Sequence, residues 1–248
     1  LIMNRLFLVI CSFIIVNCSS DTDSAQSIVD NALRAAGADK VSNARIEFDF
    51  RGRHYVANRQ GGLFSYERIF EDSAGTVHDY VTNDGFQRQI NGERVSVQDS
   101  MAVRYTSSVN SVIYFGLLPY GLNDAAVIKE YLGEEEVLEQ LYYKVKVTFR
   151  QEGGGEDFED VFYYWFHKRD FTMDYFAYSF EESDETSFRL RKAINPREIN
   201  GIRFQDYVNY RPVNNTIPVD SAMQLYLKDE LIELSRIESK NITVADPR

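Results

Sequence analysis

"YYKVKVTFRQEGGGEDFEDVFYYWFHK", residues 142–168, carries the two patterns on which the fold turns. Tyr143, Val145, Val147 and Phe149 alternate with Lys144, Lys146, Thr148 and Arg150, the period of two that a strand shows when one face is buried. After the glycine-rich loop 152–160, every position from Val161 to Phe166 is apolar. A strand that is greasy on both faces needs cover on both, so this one is expected inside its sheet.

Beyond it, strands are expected at 172–180, 186–194 and 201–210, with Asn200-Gly201 turning between the last two. A short helix opening at Asp220 and running to Leu231 follows, then a closing strand from Ile232 to Ile237. Toward the N-terminus, Met101, Tyr105, Val109, Val112, Ile113 and Leu117 recur every three or four residues and predict a helix over 98–118, stopped by Pro119 and Gly121. Its tail, "VIYFGLLPYGL" (112–122), is the most apolar stretch of the body. Before it, alternation predicts strands at 46–50, 53–59, 63–70, 76–82 and 86–90, with Asn91-Gly92 as a hairpin turn. The first helix, capped by Asp23 or Ser24, carries the stripe Ile28, Val29, Ala32, Leu33 and Ala36 and ends at Gly37. The sum is about ten antiparallel strands and three helices. The strands neither alternate regularly with helices nor repeat, which excludes a parallel α/β sheet or barrel. No Pro/Gly/Ser-rich linker interrupts them, so residues 24–248 read as one α+β, β-rich domain.

Charge and cysteine narrow the function. The 248 residues sum to −11 with a pI near 4.8, the wrong sign for nucleic acid, which needs Lys and Arg in place of phosphate counterions. The 16 Tyr and 17 Phe suit pleated strands. Both cysteines, Cys11 and Cys18, precede residue 20, so the body holds no disulfide, no thiolate metal ligand and no thiol nucleophile.

The N-terminus says where the protein resides. Met3 reads as the start, preceded by Leu1 and Ile2, with Asn4-Arg5 as a positive n-region and Leu6 to Val16 as an apolar h-region. Eleven residues of helix rise only about 16 Å, roughly half a bilayer core. Ile15-Val16-Asn17-Cys18 resembles a bacterial lipoprotein signal, with Asn17 where that pattern has Gly, Ala or Ser. The resemblance implies a signal peptide at 1–17, diacylglyceryl attachment to Cys18 and a polar tether at 18–23. Ser19 after the cysteine implies the outer membrane, as a lipid-anchored protein of the cell envelope.

Three stretches, "YFGLLPYGLND", "GGGEDFEDVFYYWF" and "NPREINGIRFQDYVNY", resemble a family of uncharacterised bacterial lipoproteins with a domain of unknown function. More distantly, the chain resembles lipoprotein carriers and receptors of the LolA/LolB type. The resemblance rests on the helix at 24–36, on Trp165-Phe166-His167-Lys168 before a turn, and on Asn200-Gly201-Ile202 entering a late strand. His167 stands where those proteins usually have aspartate. The likeness implies an antiparallel incomplete β-barrel, a half-barrel with a helix set in its concave face and a greasy cavity for acyl chains.

Catalytic patterns are few. The histidines are His54, His78 and His167, with no spacing that ligates metal from one helix, and neither a G-x-S-x-G elbow nor a Walker loop occurs. Glu156, Asp157, Glu159 and Asp160 could offer oxygens to calcium, but their spacing fits no EF-hand and a solvated hairpin tip explains them. No metal, cofactor or catalytic residue is therefore expected. Candidate ligand-lining residues are Phe115, Leu117 and Leu118 on the helix and Tyr163 and Trp165 on the two-sided strand. Periodicity does not distinguish a filled interior from a cavity. The leading expectation is a non-catalytic envelope lipoprotein that binds a lipid or lipoprotein acyl chain. The rivals are an interaction lipoprotein with a filled core and a hydrolase of envelope material.

Overall fold

Alternation over 46–90 and 143–210 is realised as two antiparallel sheets. The computed structural model describes residues 21–247 except 154–157, 183–184 and 215–216, with side chains described outside 21–24 and 181–185. Helix α1 (Asp21–Ala35) and one-turn α2 (Ala38–Val41) lead into β1 (Asn43–Phe50), β2 (Arg53–Gln60), β3 (Leu63–Asp72), β4 (Gly75–Thr82), β5 (Gly85–Ile90) and β6 (Glu93–Val95). Helix α3 (Asp99–Leu117) crosses to β7 (Val127–Val137), β8 (Gln140–Phe149), β9 (Phe162–His167), β10 (Met173–Glu182), β11 (Glu185–Ile199) and β12 (Ile202–Pro212). A 3₁₀ turn (Val219–Ser221), α4 (Ala222–Leu227), β13 (Leu231–Ile237) and β14 (Lys240–Ala245) complete the order.

The first sheet runs β14-β1-β2-β3-β4-β5-β6 and the second β13-β12-β11-β10-β9-β8-β7. They do not close into a barrel: the fold is an α+β, incomplete antiparallel barrel. Residues 238–239 carry the chain from β13, at the edge of one sheet, to β14, at the edge of the other. β9 lies inside its sheet and all six of its residues are buried.

Each face of β9 has its own cover. Phe162, Tyr164 and Phe166 join a core with α1 (Ala25, Ile28, Val29, Ala32) and Leu118. Tyr163 and Trp165, on the opposite face by the period of two, pack with Tyr142, Phe188 and Met223 of α4. A third core sets Val109, Ile113 and Leu117 of α3 against Ile46, Phe48 and Tyr55 of the first sheet. The end of α3 is apolar all round because both sheets touch it: Ile113 and Leu117 meet one, Tyr114 and Phe115 the other.

Gly37 ends the first helix for two reasons. Its φ of +65° favours glycine, and a Cβ there would run into the carbonyl of Gly201 in the β11–β12 turn. The Arg203 amide donates to the Ala36 carbonyl at 3.0 Å across the same approach.

Several elements differ from expectation. α1 starts at Asp21, two or three residues before the cap expected at Asp23 or Ser24. α2 is a fourth α-helix, and the helix expected from Asp220 to Leu231 is a 3₁₀ turn followed by six residues. β7 was not expected. Its inward and outward residues alternate strictly, but Glu134, Glu135 and Glu136 hide the pattern, and Gly133 marks a bulge against β8. β13 is not the last strand, because β14 returns to pair with β1.

Candidate functional site

Where the sheets part, beside the 238–239 crossing, a cavity of about 450 Å³ opens between them. One wall is α3, through Val112, Phe115 and Gly116. Phe48 and Phe50 of β1 form the second, with Arg51 beyond them, and Leu234 and Ile237 of β13 sit nearer solvent. The floor is polar: Arg191 of β11 with Gln205, Tyr207 and Asn209 of β12.

Strand register explains the floor. Tyr164 stands opposite Phe176, Phe176 opposite Arg191, Arg191 opposite Asn209, and Asn209 opposite Ser235. Directly paired residues share a face, so one row crosses five strands from a greasy end under α3 to a polar end under the opening.

Arg191 is 8% exposed. Its guanidinium lies 4.1 Å from the Phe115 ring centroid and 5.4 Å from that of Phe176, within cation–π range. Nη2 donates to the Tyr178 hydroxyl at 2.9 Å, while the buried Nε has no partner. Among the described residues no carboxylate lies within ion-pair distance of it; Asp206, on the other face of β12, is taken by Arg197 at 2.9 Å. Gln205 donates through Nε2 to the Met173 carbonyl at 2.8 Å and leaves Oε1 buried and unpaired. Asn209 donates to Ser235 at 3.3 Å and leaves Oδ1 likewise. Burial pushes the Tyr207 phenol up to about 12, against the opposing pull of Gln205 and Arg191, so Tyr207 stays neutral and does not neutralise the arginine. Burial also pushes Tyr114 up to about 12, and Tyr164 well above the usual tyrosine range.

Of the five lining residues anticipated from sequence, Phe115 is in this cavity. Leu117 packs into the core against the first sheet. Leu118 borders a separate void of only about 10 Å³ with Ala32 and Met173. Tyr163 and Trp165 lie behind β9, where the indole donates to Glu135 at 2.8 Å. Cys18 lies outside the described residues, as do Glu156 and Asp157 of the acidic loop.

The three histidines do not converge. His54 sits between Asp49 (2.8 Å) and Glu47 (3.2 Å), His78 against Glu67 (2.8 Å) and His167 against Asp170 (3.3 Å). Among the described residues no group of three or more His, Cys, Asp or Glu is placed to hold a metal. No described helix is long and apolar enough to cross a membrane.

Sequence reasoning missed Arg191, Gln205, Tyr207 and Asn209. Phe188 and Leu190 alternate with Arg189 and Arg191, which reads as a strand with arginines in water. The available signal was slight: Gln205, Tyr207 and Asn209 share one face of β12, opposite Phe204, Val208 and Tyr210.

The architecture is shared with a solved DUF1329 family protein from Desulfovibrio piger, 14% identical with a TM-score of 0.51, over 88% of this chain and 92% of that one. A LolA superfamily protein from Nitrosomonas europaea is 11% identical with a TM-score of 0.49, over 90% of this chain and 94% of that one. A domain assigned to outer membrane lipoprotein sorting in Vibrio parahaemolyticus is 9% identical with a TM-score of 0.41, over 82% and 99%. None of the curated proteins matches the chain. Residues 4–239 match the family of unknown function DUF6503, and the chain belongs to that family.

Proposed function

We propose that this chain is a lipid-anchored protein of the bacterial cell envelope, held to the outer membrane through Cys18, which binds a lipid or a lipoprotein acyl chain without catalysis. The observation that carries the reading is the cavity at the open seam of the half-barrel. Its volume of about 450 Å³ falls within the roughly 300–1,000 Å³ of small-molecule sites. Aromatic and aliphatic walls from α3, β1 and β13 would take hydrocarbon out of water at about 0.8 kcal/mol per methylene, so ten methylenes supply roughly 8 kcal/mol before the losses of association. Phe115 is the central lining residue in this reading.

The test is saturable displacement of a fluorescent fatty-acid analogue by single-chain amphiphiles below their micelle concentration, together with mass spectrometry of lipids that co-purify with the protein. An external probe is preferable to Trp165, which lies behind β9 and is fixed by Glu135. A protein that carries no lipid and never binds the probe acts through its outer surface, and the carrier reading fails.

A further inference from the structure

Arg191 is a cation held nine-tenths out of water, with no carboxylate within ion-pair distance among the described residues. Buried charges in folded proteins are usually paired, because desolvation penalises an isolated one heavily. The rings of Phe115 and Phe176 offset part of that penalty, but a ring face uses none of the guanidinium's five N–H donors. One donor reaches Tyr178, and Nε has no partner. Arg191 also lines the cavity, so it borders the space that a ligand would enter.

Its neighbours complete a head-group site. Asn209 stands directly opposite Arg191 in the ladder. Turning its amide would let Oδ1 accept from the Ser235 hydroxyl and put an Nδ2 donor where the unpaired oxygen now lies. The apolar walls, Val112, Phe48 and Leu234, border the same space. Polar floor and greasy walls together match a molecule with one charged end and one hydrocarbon end.

We propose that the cavity is selective for anionic single-chain amphiphiles, with Arg191 binding the carboxylate or phosphate head and the chain lying against α3 and β1. The proposal rests on the reading of the cavity as a hydrophobic-ligand site. Carboxylate and phosphate share the chemistry, since both match the guanidinium fork.

The experiment compares dodecanoate, dodecyl phosphate and dodecanol, all below their micelle concentrations, as displacers of a bound fluorescent probe from the purified protein. The wild type is expected to bind one or both anions roughly 10- to 100-fold more tightly than dodecanol, the range for a charge-assisted hydrogen bond in a dry site. Whichever anion binds more tightly identifies the source of the head group. Arg191→Gln should bring the anions level with dodecanol, and Arg191→Lys should keep part of the preference. Dodecanol binding the wild type as tightly as the anions overturns the head-group proposal and leaves the hydrophobic-cavity reading standing. No binding by any of the three overturns both. Anion preference that survives intact in Arg191→Gln removes Arg191 from the role. The wild-type comparison decides the central point even if the glutamine variant fails to fold.

Discussion

Replacing Gly116 with leucine separates an open cavity from a filled core. Gly116 lies in the last turn of α3 and lines the cavity, and a Cβ built on it meets Phe48 at 3.5 Å, ordinary van der Waals contact. Gly116→Ala should therefore stabilise the fold by up to about 1 kcal/mol, the helix preference for alanine over glycine. For a chain of this size that is a rise of roughly 2–4 °C in Tm. Leucine at the same position goes further into the space. If the space is open, burying the side chain contributes up to about 1.5–3 kcal/mol, and stability is kept or raised while ligand is displaced. If packing fills the space, the same change overpacks and lowers stability by about 1–3 kcal/mol. The assay is urea unfolding followed by circular dichroism, beside displacement of the fluorescent fatty-acid analogue. The expected pair of results is stability equal to or above wild type, with affinity down at least tenfold. A leucine variant that loses 1 kcal/mol or more and binds the probe as before would refute the cavity as the site.

The other predictions concern the anchor, the first sheet and the seam. Cys18→Ala should abolish incorporation of labelled palmitate and release the protein from the envelope fraction; continued labelling would place the acyl chain elsewhere. Asp79, fully buried, receives Arg68 and Arg88 at 2.6 Å each, so Asp79→Ala strands two arginines and should lower stability by about 3–5 kcal/mol in urea unfolding. A loss under 1 kcal/mol would show that water replaces the carboxylate. The Asn241 amide, and then His54, hold the Asp49 carboxyl below the usual range where β14 meets β1. A depressed carboxylate contributes stability above its unfolded value of about 3.9 and loses it as pH falls through the lower folded value. Asn241→Ala should therefore flatten the dependence of unfolding free energy on pH below about 4, and an unchanged slope would remove Asn241 from the seam's acid response.

What the sequence disclosed follows the physics of each segment. β9 was legible because a strand buried on both faces is apolar on both, as Phe162 to Phe166 are before the buried His167 at its end. α3 was legible because Val109, Ile113 and Leu117 repeat at the helical period and Pro119 marks the stop. β7 was not, because glutamates on an edge strand imitate a loop, and charge there also protects the edge from pairing with another chain. β14 escaped for a different reason: its reality as a strand depends on β1, some two hundred residues earlier, and no local pattern reports a partner that distant. The cavity was hidden most thoroughly. Alternation says which side chains share a face but not whether that face looks onto water, protein or a void. Tyr163 and Trp165 are expected as lining because their strand is apolar on both faces, and of those two faces they occupy the one that α4 covers.

Two buried arginines, Arg68 and Arg191, illuminate each other. Arg68 is 4% exposed and spends its guanidinium fully on structure: Nε and Nη2 donate to Asp79 at 3.0 and 2.6 Å, and Nη1 donates to Ser108 of α3 at 2.8 Å. That is what a fold does with a buried arginine when the residue's task is to pin a helix to a sheet. Arg191 is nearly as buried, yet it gives one hydrogen bond to a neutral hydroxyl, leaves Nε without a partner and stands at a cavity wall. Helix pinning does not explain it, since Phe115, its contact on α3, would pack on a methionine as well as on a guanidinium. Nor does solubility, since an exposed position would serve that at no desolvation penalty. A largely buried cation at a cavity wall, with no carboxylate partner among the described residues, lowers the stability of the empty protein, and that penalty is offset when an anion enters. The contrast with Arg68 locates in Arg191 the group whose chemistry the fold leaves for a ligand to complete.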